Sequence, residues 1–214
     1  MLFIQPAGFI IAFLSFCCLL VSSTPTPDKL QPLVPRLESP SVYVSNITYN
    51  GNGCLPGSES VKFAVIPGSE SVEITYTNHV ARTGSAIPSR DNIVYCGVTF
   101  TLNYPRGKTF GSYNSIVSGD ITLAPTLDAS RGSKYRSTGQ QEVSFASAWP
   151  LGYNGGYSET DQVALVVDPN SCPETTQTWF ELETTVGLPY SREAYGQINV
   201  LKQVLAFEWD ACLT

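Results

Sequence analysis

Four cysteines spread through a body of short apolar runs constrain this chain more than any other feature. Cys54, Cys96, Cys172 and Cys212 are far apart. None of their spacings resembles the C-x2-C of a metal site, so they predict disulfides made in an oxidising compartment. Three pairings are open to four cysteines. The separations suggest Cys54 with Cys96 and Cys172 with Cys212. Each bridge would close about 40 residues and contribute about 4 kcal/mol through chain entropy.

The remaining cysteines, Cys17 and Cys18, fall in a removable segment. Residues 9–21 read FIIAFLSFCCLLV, long enough for a signal-peptide core and short for a membrane span. Val21 and Ser23 suit the small-residue cleavage rule, so residues 1–23 are expected to leave as a signal peptide. Residues 24–40 hold five prolines. Proline lacks an amide donor, so this stretch is an extended leader rather than part of a sheet. Residues 41–214 then form one domain, long enough for a real core.

Within that domain the signal is period two. From Val94 to Tyr104, alternate residues Val94, Cys96, Val98, Phe100, Leu102 and Tyr104 share one face. Pro105 and Gly107 end the run. The hexapeptide PGSESV occurs twice, from Pro56 and from Pro67, each time leading into a strand pattern. A hairpin turning at Pro67-Gly68 follows. Further strand-like runs cover residues 42–49, 121–124, 143–148, 163–167, 179–185, 198–201 and 204–209. Helical windows are interrupted by Gly, Pro and β-branched residues. The fold class is therefore all-β: an antiparallel sandwich, jelly-roll-like, stapled by two disulfides.

The landmarks have a recognisable order. Residues 47–58 read ITYNGNGCLPGS; a strand from Cys96 ends in Tyr104-Pro105-Arg106-Gly107. Gly119 to Leu123 and Ser133 to Tyr135 follow, then Ser171-Cys172-Pro173, then Trp209-Asp210-Ala211-Cys212. This set resembles the domain of unknown function 4360, a family of small secreted, mainly fungal proteins. The resemblance implies a secreted four-cysteine β domain and carries no catalytic residues with it.

Composition excludes some partners. Twelve basic against eighteen acidic residues give a net charge of −6, which repels a phosphate backbone, so no nucleic acid is expected. No other run is long enough to span a membrane once the signal is cut. Asn46-Ile47-Thr48 is a glycosylation sequon at Asn46.

No catalytic set stands out, and neither cofactor nor metal is expected. His79 is the one histidine, no G-x-S-x-G elbow supports it, and it reads as a strand-end residue. Glycoside hydrolysis would need two carboxylates from among Glu142, Glu159, Asp161, Asp168, Glu181, Glu183, Glu208 and Asp210. Of these, Glu181 and Glu183 share one strand face. Asp120, Asp128 and Asp161 have no calcium-loop spacing. The best ligand-binding candidate is the Gly/Asn-rich stretch from Trp149 to Asp161. There Trp149, Tyr153 and Tyr157 would stack on sugar rings while Asn154 takes hydroxyls. The alternative is that Trp149 ends a core strand and the tyrosines cover it. Trp179 and Trp209 lie in strand patterns and are expected in the core. Three functions follow: a secreted non-enzymatic protein binding wall polysaccharide or an extracellular protein, a small carboxylate-dependent glycoside hydrolase, or a structural wall component.

Overall fold

The computed structural model describes residues 42–165 and 176–211. The signal and leader segments, Asp168, Cys172 and Cys212 lie outside the described residues. The strands are β1 (Tyr43–Asn50), β2 (Val61–Ile66), β3 (Ser71–Tyr76), β4 (Val80–Thr83), β5 (Ile93–Asn103) and β6 (Lys108–Leu123). They continue with β7 (Ala129–Ser137), β8 (Val143–Trp149), β9 (Asn154–Ala164), β10 (Gln177–Gly187), β11 (Gly196–Asn199) and β12 (Lys202–Ala211). A short 3-10 turn covers Ser89–Asp91.

Two antiparallel sheets form a sandwich. One has the order β1-β5-β10-β7-β8. The other runs β2-β3-β12-β6-β11-β4, with β9 on β6. The long strand β6 explains this second order. Its first part pairs with β12, from Lys108 to Ser118, and its end pairs with β11, from Ile121 to Leu123. Its opposite edge carries β9.

The expected alternation holds on β5. Val98, Phe100 and Leu102 are fully buried, while Ile93 and Tyr95 are exposed. Phe100 stacks on Phe180 of β10 at 5.2 Å between ring centres. Phe110, Phe207 and Tyr113 of the other sheet close over Phe180. The predicted hairpin is present, with Ile66 opposite Ser71 across the Pro67-Gly68 turn. Cys54 and Cys96 are bonded, with their Cα atoms 5.3 Å apart, and both are buried. Asn103, at the end of β5 and out of phase with Leu102, is buried as well, donating to Ser45 Oγ at 2.8 Å.

Four strands depart from the sequence expectation. The short strand β4 and the first part of β6 fall outside the predicted runs. The sequence predicts a binding loop after Trp149; the structure has a tight turn followed by the eleven-residue strand β9. Strand β7 has no counterpart in the predicted runs. For β7 and β9 the cause is shared: polar residues take inward positions. Arg131, Ser133 and Ser137 of β7 and Asp161 of β9 are buried, so the apolar half of the alternation is interrupted.

These polar groups meet between the sheets. The Arg131 guanidinium grips Asp161 with two N–H···O bonds of 2.8 Å and also donates to Ser133 and Ser147. The Tyr135 hydroxyl lies 2.6 Å from Asp161 Oδ2 and 2.9 Å from Ser115 Oγ. Gln203 Nε2 donates to Ser115 Oγ at 2.9 Å, and Tyr76 donates to Gln203 Oε1 at 2.8 Å. Burial opposes the Arg131 charge, but the Asp161 bonds and charge outweigh it and raise its pKa. Burial, then the Asp161 charge, pushes the Tyr135 phenol up, so it remains a donor at any working pH.

A buried pair of this kind adds little net stability, yet removing one partner strands the other charge. Asp161→Ala should cost about 3–5 kcal/mol in urea unfolding. Arg131→Met with Asp161→Leu should recover most of that loss. Equal losses in the single and double variants would show that the pair does not act as a unit.

Candidate functional site

The predicted aromatic site splits when folded. Trp149 ends β8 and is buried, as is Tyr157 of β9. Their rings pack 4.7 Å apart, and the Tyr157 hydroxyl donates to the Asn199 carbonyl at 2.7 Å. Tyr153 is half-buried in the turn and donates to the Gly156 carbonyl at 3.0 Å. Asn154 is exposed, but its carboxamide bridges the Leu123 backbone, accepting from its N–H and donating to its carbonyl. Three exposed rings in a row are therefore absent here, and the core alternative describes Trp149.

Trp179 moves the other way. Expected in the core, it stands on the outer face of the five-stranded sheet, 37% exposed. Period two requires this: Phe180 and Leu182 point inward, so Trp179, Glu181 and Glu183 point out. Trp209 is half-buried against Phe110, Phe207 and Tyr104.

That outer face is ordered by cross-strand register. Trp179 lies opposite Thr101, Glu181 opposite Thr99 and Arg136, and Glu183 opposite Gly97 and Lys134. Thr185 lies opposite Tyr95 and Gly132. Arg136 pairs with Glu181 and sits 5.3 Å from the Trp179 ring centre. Lys134 pairs with Glu183 at 3.3 Å. Thr48 of β1 hydrogen-bonds Thr99, and Asn46 donates to Thr101 Oγ1 at 3.3 Å. Asn46 sits where the β1 register slips and has a φ of 52°.

Towards Tyr95 the face is floored by small residues. Gly132 pairs with Ala146, and Ser130 with Ala148. A side chain on Gly132 would meet nothing within 4 Å, so this part of the surface is open. Tyr95 itself is 44% exposed. Trp179 and Tyr95 are thus six residues apart along paired strands, about 20 Å at strand rise.

The carboxylate candidates do not form an isolated pair. Glu181 and Glu183 each hold a cation across the strand. Asp161 is committed to Arg131, Glu208 accepts from Ser112, and Glu142 lies at the rim near Lys134 and Arg136. Glu159 and Asp210 lie on β9 and β12, Asp120 on β6, and Asp128 just before β7. Among the described residues no cluster of three His, Cys, Asp or Glu side chains is placed to hold a metal ion.

His79 lies between β3 and β4 and is only 1% exposed. Its ring is set edge-on to Tyr76 at 5.4 Å. The Val94 backbone lies near enough to favour the charged form slightly, yet neither ring nitrogen has a partner in hydrogen-bond geometry. Burial dominates and lowers the pKa to about 4.

The family described as Domain of unknown function (DUF4360) matches residues 40–212. An "Uncharacterized secreted protein" of Arthroderma benhamiae is 24% identical over 197 residues, which is 89% of this chain and 75% of that protein. Among solved structures, TmCBM61 in complex with β-1,4-galactotriose has a TM-score of 0.31 at 12% identity, covering 78% of this chain and 89% of that one. The family 11 carbohydrate-binding module from Clostridium thermocellum has a TM-score of 0.22 at 12% identity, covering 81% and 90%. No helix among the described residues is long and apolar enough to cross a membrane.

Two outcomes follow from these placements. The His79 pKa is lower folded than unfolded, so the unfolded chain binds the proton first as pH falls. Stability should be full above about pH 6.5 and fall by about 3 kcal/mol towards pH 4. Comparison of urea midpoints with His79→Leu isolates this slope; identical pH profiles would rule it out. Trp149→Ala should cost about 3–5 kcal/mol, as for a buried aromatic, rather than act only on binding.

Proposed function

The chain belongs to the family described as Domain of unknown function (DUF4360), and we propose that it is a secreted, non-catalytic sandwich that binds an extended wall polysaccharide along the outer face of its five-stranded sheet. The observation that carries this reading is the pairing of half-exposed Trp179 and Tyr95 on one face, with hydroxyls and a small-residue floor between them. Aromatic faces pack on the C–H faces of sugar rings, while threonine hydroxyls and ion-paired carboxylates exchange hydrogen bonds with sugar hydroxyls. The length between the rings accommodates several linked pyranoses. Opposite charges alternate across the face through Lys134, Arg136, Glu181 and Glu183, which suits a neutral polymer.

The secreted relative from Arthroderma benhamiae and the bonded Cys54–Cys96 pair support the extracellular setting. A glycan on Asn46 would leave from the β1 edge of the same face. A structural wall component is the second reading, favoured by the burial of Trp149 and Tyr157.

The test is depletion of the purified chain by insoluble chitin, β-glucan and cellulose. Saturable binding to one polymer should weaken about tenfold, or ~1.4 kcal/mol, in Trp179→Ala and Tyr95→Ala. A folded Trp179→Ala that binds like the parent would move the site off this face. No depletion by any polymer would overturn the polysaccharide reading and leave a protein partner or the structural component.

A further inference from the structure

We propose a second ligand site in the cleft beside the Cys54–Cys96 bridge, one that takes a single pyranose ring, free or at the end of a chain. This site does not depend on the outer face. The cleft has a volume of about 310 Å3, at the lower bound of small-ligand pockets. Its walls come from the loop after β1, from β4 with the residues before it, and from the start of β5.

The polar groups divide into those already used and those free. Asn52 is used: it accepts from the Tyr95 N–H at 2.8 Å and donates to the Ile93 carbonyl at 3.0 Å. Ser58 is bonded to the Leu55 carbonyl and to Ser60. Among the described residues Arg82 gives only its Nε, to Gln197 at 3.1 Å, which leaves both terminal amino groups to donate. The Asp91 carboxylate has a distant ion-pair neighbour, exposed Arg90 at 3.8 Å. The Asn78 carboxamide has no partner among the described residues.

The free set is thus a guanidinium donor, a carboxylate acceptor and an amide that does both. Sugar hydroxyls need this mixture because each donates one bond and accepts others. A lone anion would be repelled by Asp91, and a lone cation by Arg82. Leu55, Val80 and Val94 supply apolar surface for the C–H face of the ring.

His79 lies directly behind the cleft and makes a reporter for it. A smaller hollow of about 110 Å3 shares Asn78, Val80 and Arg82 with the cleft and has His79 in its wall. Gly53, which lines the cleft, lies against the same ring: a Cβ there would fall 2.8 Å from His79 Cδ2. A ring in the cleft would therefore sit across Gly53 from the imidazole, close enough to change its surroundings. A water molecule in the smaller hollow would serve the ring nitrogens, which lack a partner in hydrogen-bond geometry among the described residues.

The chain's one histidine makes the test direct, because a 15N-labelled protein gives a single pair of imidazole nitrogen signals. The probes are glucose, galactose, mannose and N-acetylglucosamine, then their linear oligosaccharides, each at about 50 mM to exceed a Kd of about 1 mM. One sugar should shift the imidazole signals saturably. Asp91→Ala and Arg82→Ala, at unchanged urea midpoint, should each weaken that binding about tenfold, and Trp179→Ala should not. Saturation by a monosaccharide assigns a free sugar; saturation by oligosaccharides alone assigns a chain end. No shift with any probe, or a shift that both variants leave intact, would overturn the site and leave water as the occupant. Failure of the outer-face reading is separate: Trp179→Ala then leaves polymer depletion unchanged, whatever the imidazole signals do.

Discussion

The ion pair of Arg131 and Asp161 joins the two sheets. Arg131 comes from β7 of one sheet and Asp161 from β9 of the other. Burying two charges between packed sheets is expensive, and the cost is offset only when geometry is good and the remaining donors and acceptors are filled. Here the contact is bidentate and is extended by Tyr135, Ser115, Gln203 and Tyr76, and among the described residues every donor of the pair but Arg131 Nε is filled. The network fixes which inner face meets which. A one-residue slip of β7 would turn Arg131 outward and leave Asp161 alone. It therefore holds the register that places Lys134 and Arg136 beside Glu183 and Glu181 on the outer face.

The disulfide acts at one end of the sandwich. It ties the loop after β1 to the inner face of β5. That loop then lies close to Val94, His79 and the Tyr95 backbone, where a backbone bond from Gly53 N–H to the Tyr95 carbonyl at 2.9 Å pins it. The cleft exists because this loop is held near β4 without filling the space beside it. The flat outer face and the end cleft are separate consequences of one architecture: a face made by register and an end made by a bridge.

Legibility followed burial chemistry. Strand β5 was plain in the sequence because its inward residues are apolar. Strands β7 and β9 were hidden because theirs include Arg131, Ser133 and Asp161, which pattern reading assigns to solvent. Trp179 departs from its expected place for a related reason. A tryptophan in a strand pattern looks like core, but Trp179 is one residue out of phase with Phe180. Trp149 sits beside glycines, which leaves an exposed and a core reading open, and the strand after the turn covers it with Tyr157. The cleft had no linear signal: Asn78 and Arg82 come from β4 and the residues before it, Asp91 from the 3-10 turn, and the facing wall from the loop after β1.

By itself the sequence determined the all-β class, the hairpin at Pro67-Gly68 and the inward face of β5, and it suggested Cys54 with Cys96 among three open pairings. These depend on local periodicity, turn chemistry and separation along the chain. Only the tertiary structure decided which polar residues are interior, which tryptophan meets solvent and which side chains share the cleft. Those outcomes depend on partners far away in sequence: a charge can be buried only where its opposite arrives, and an aromatic ring is a surface only where nothing packs over it.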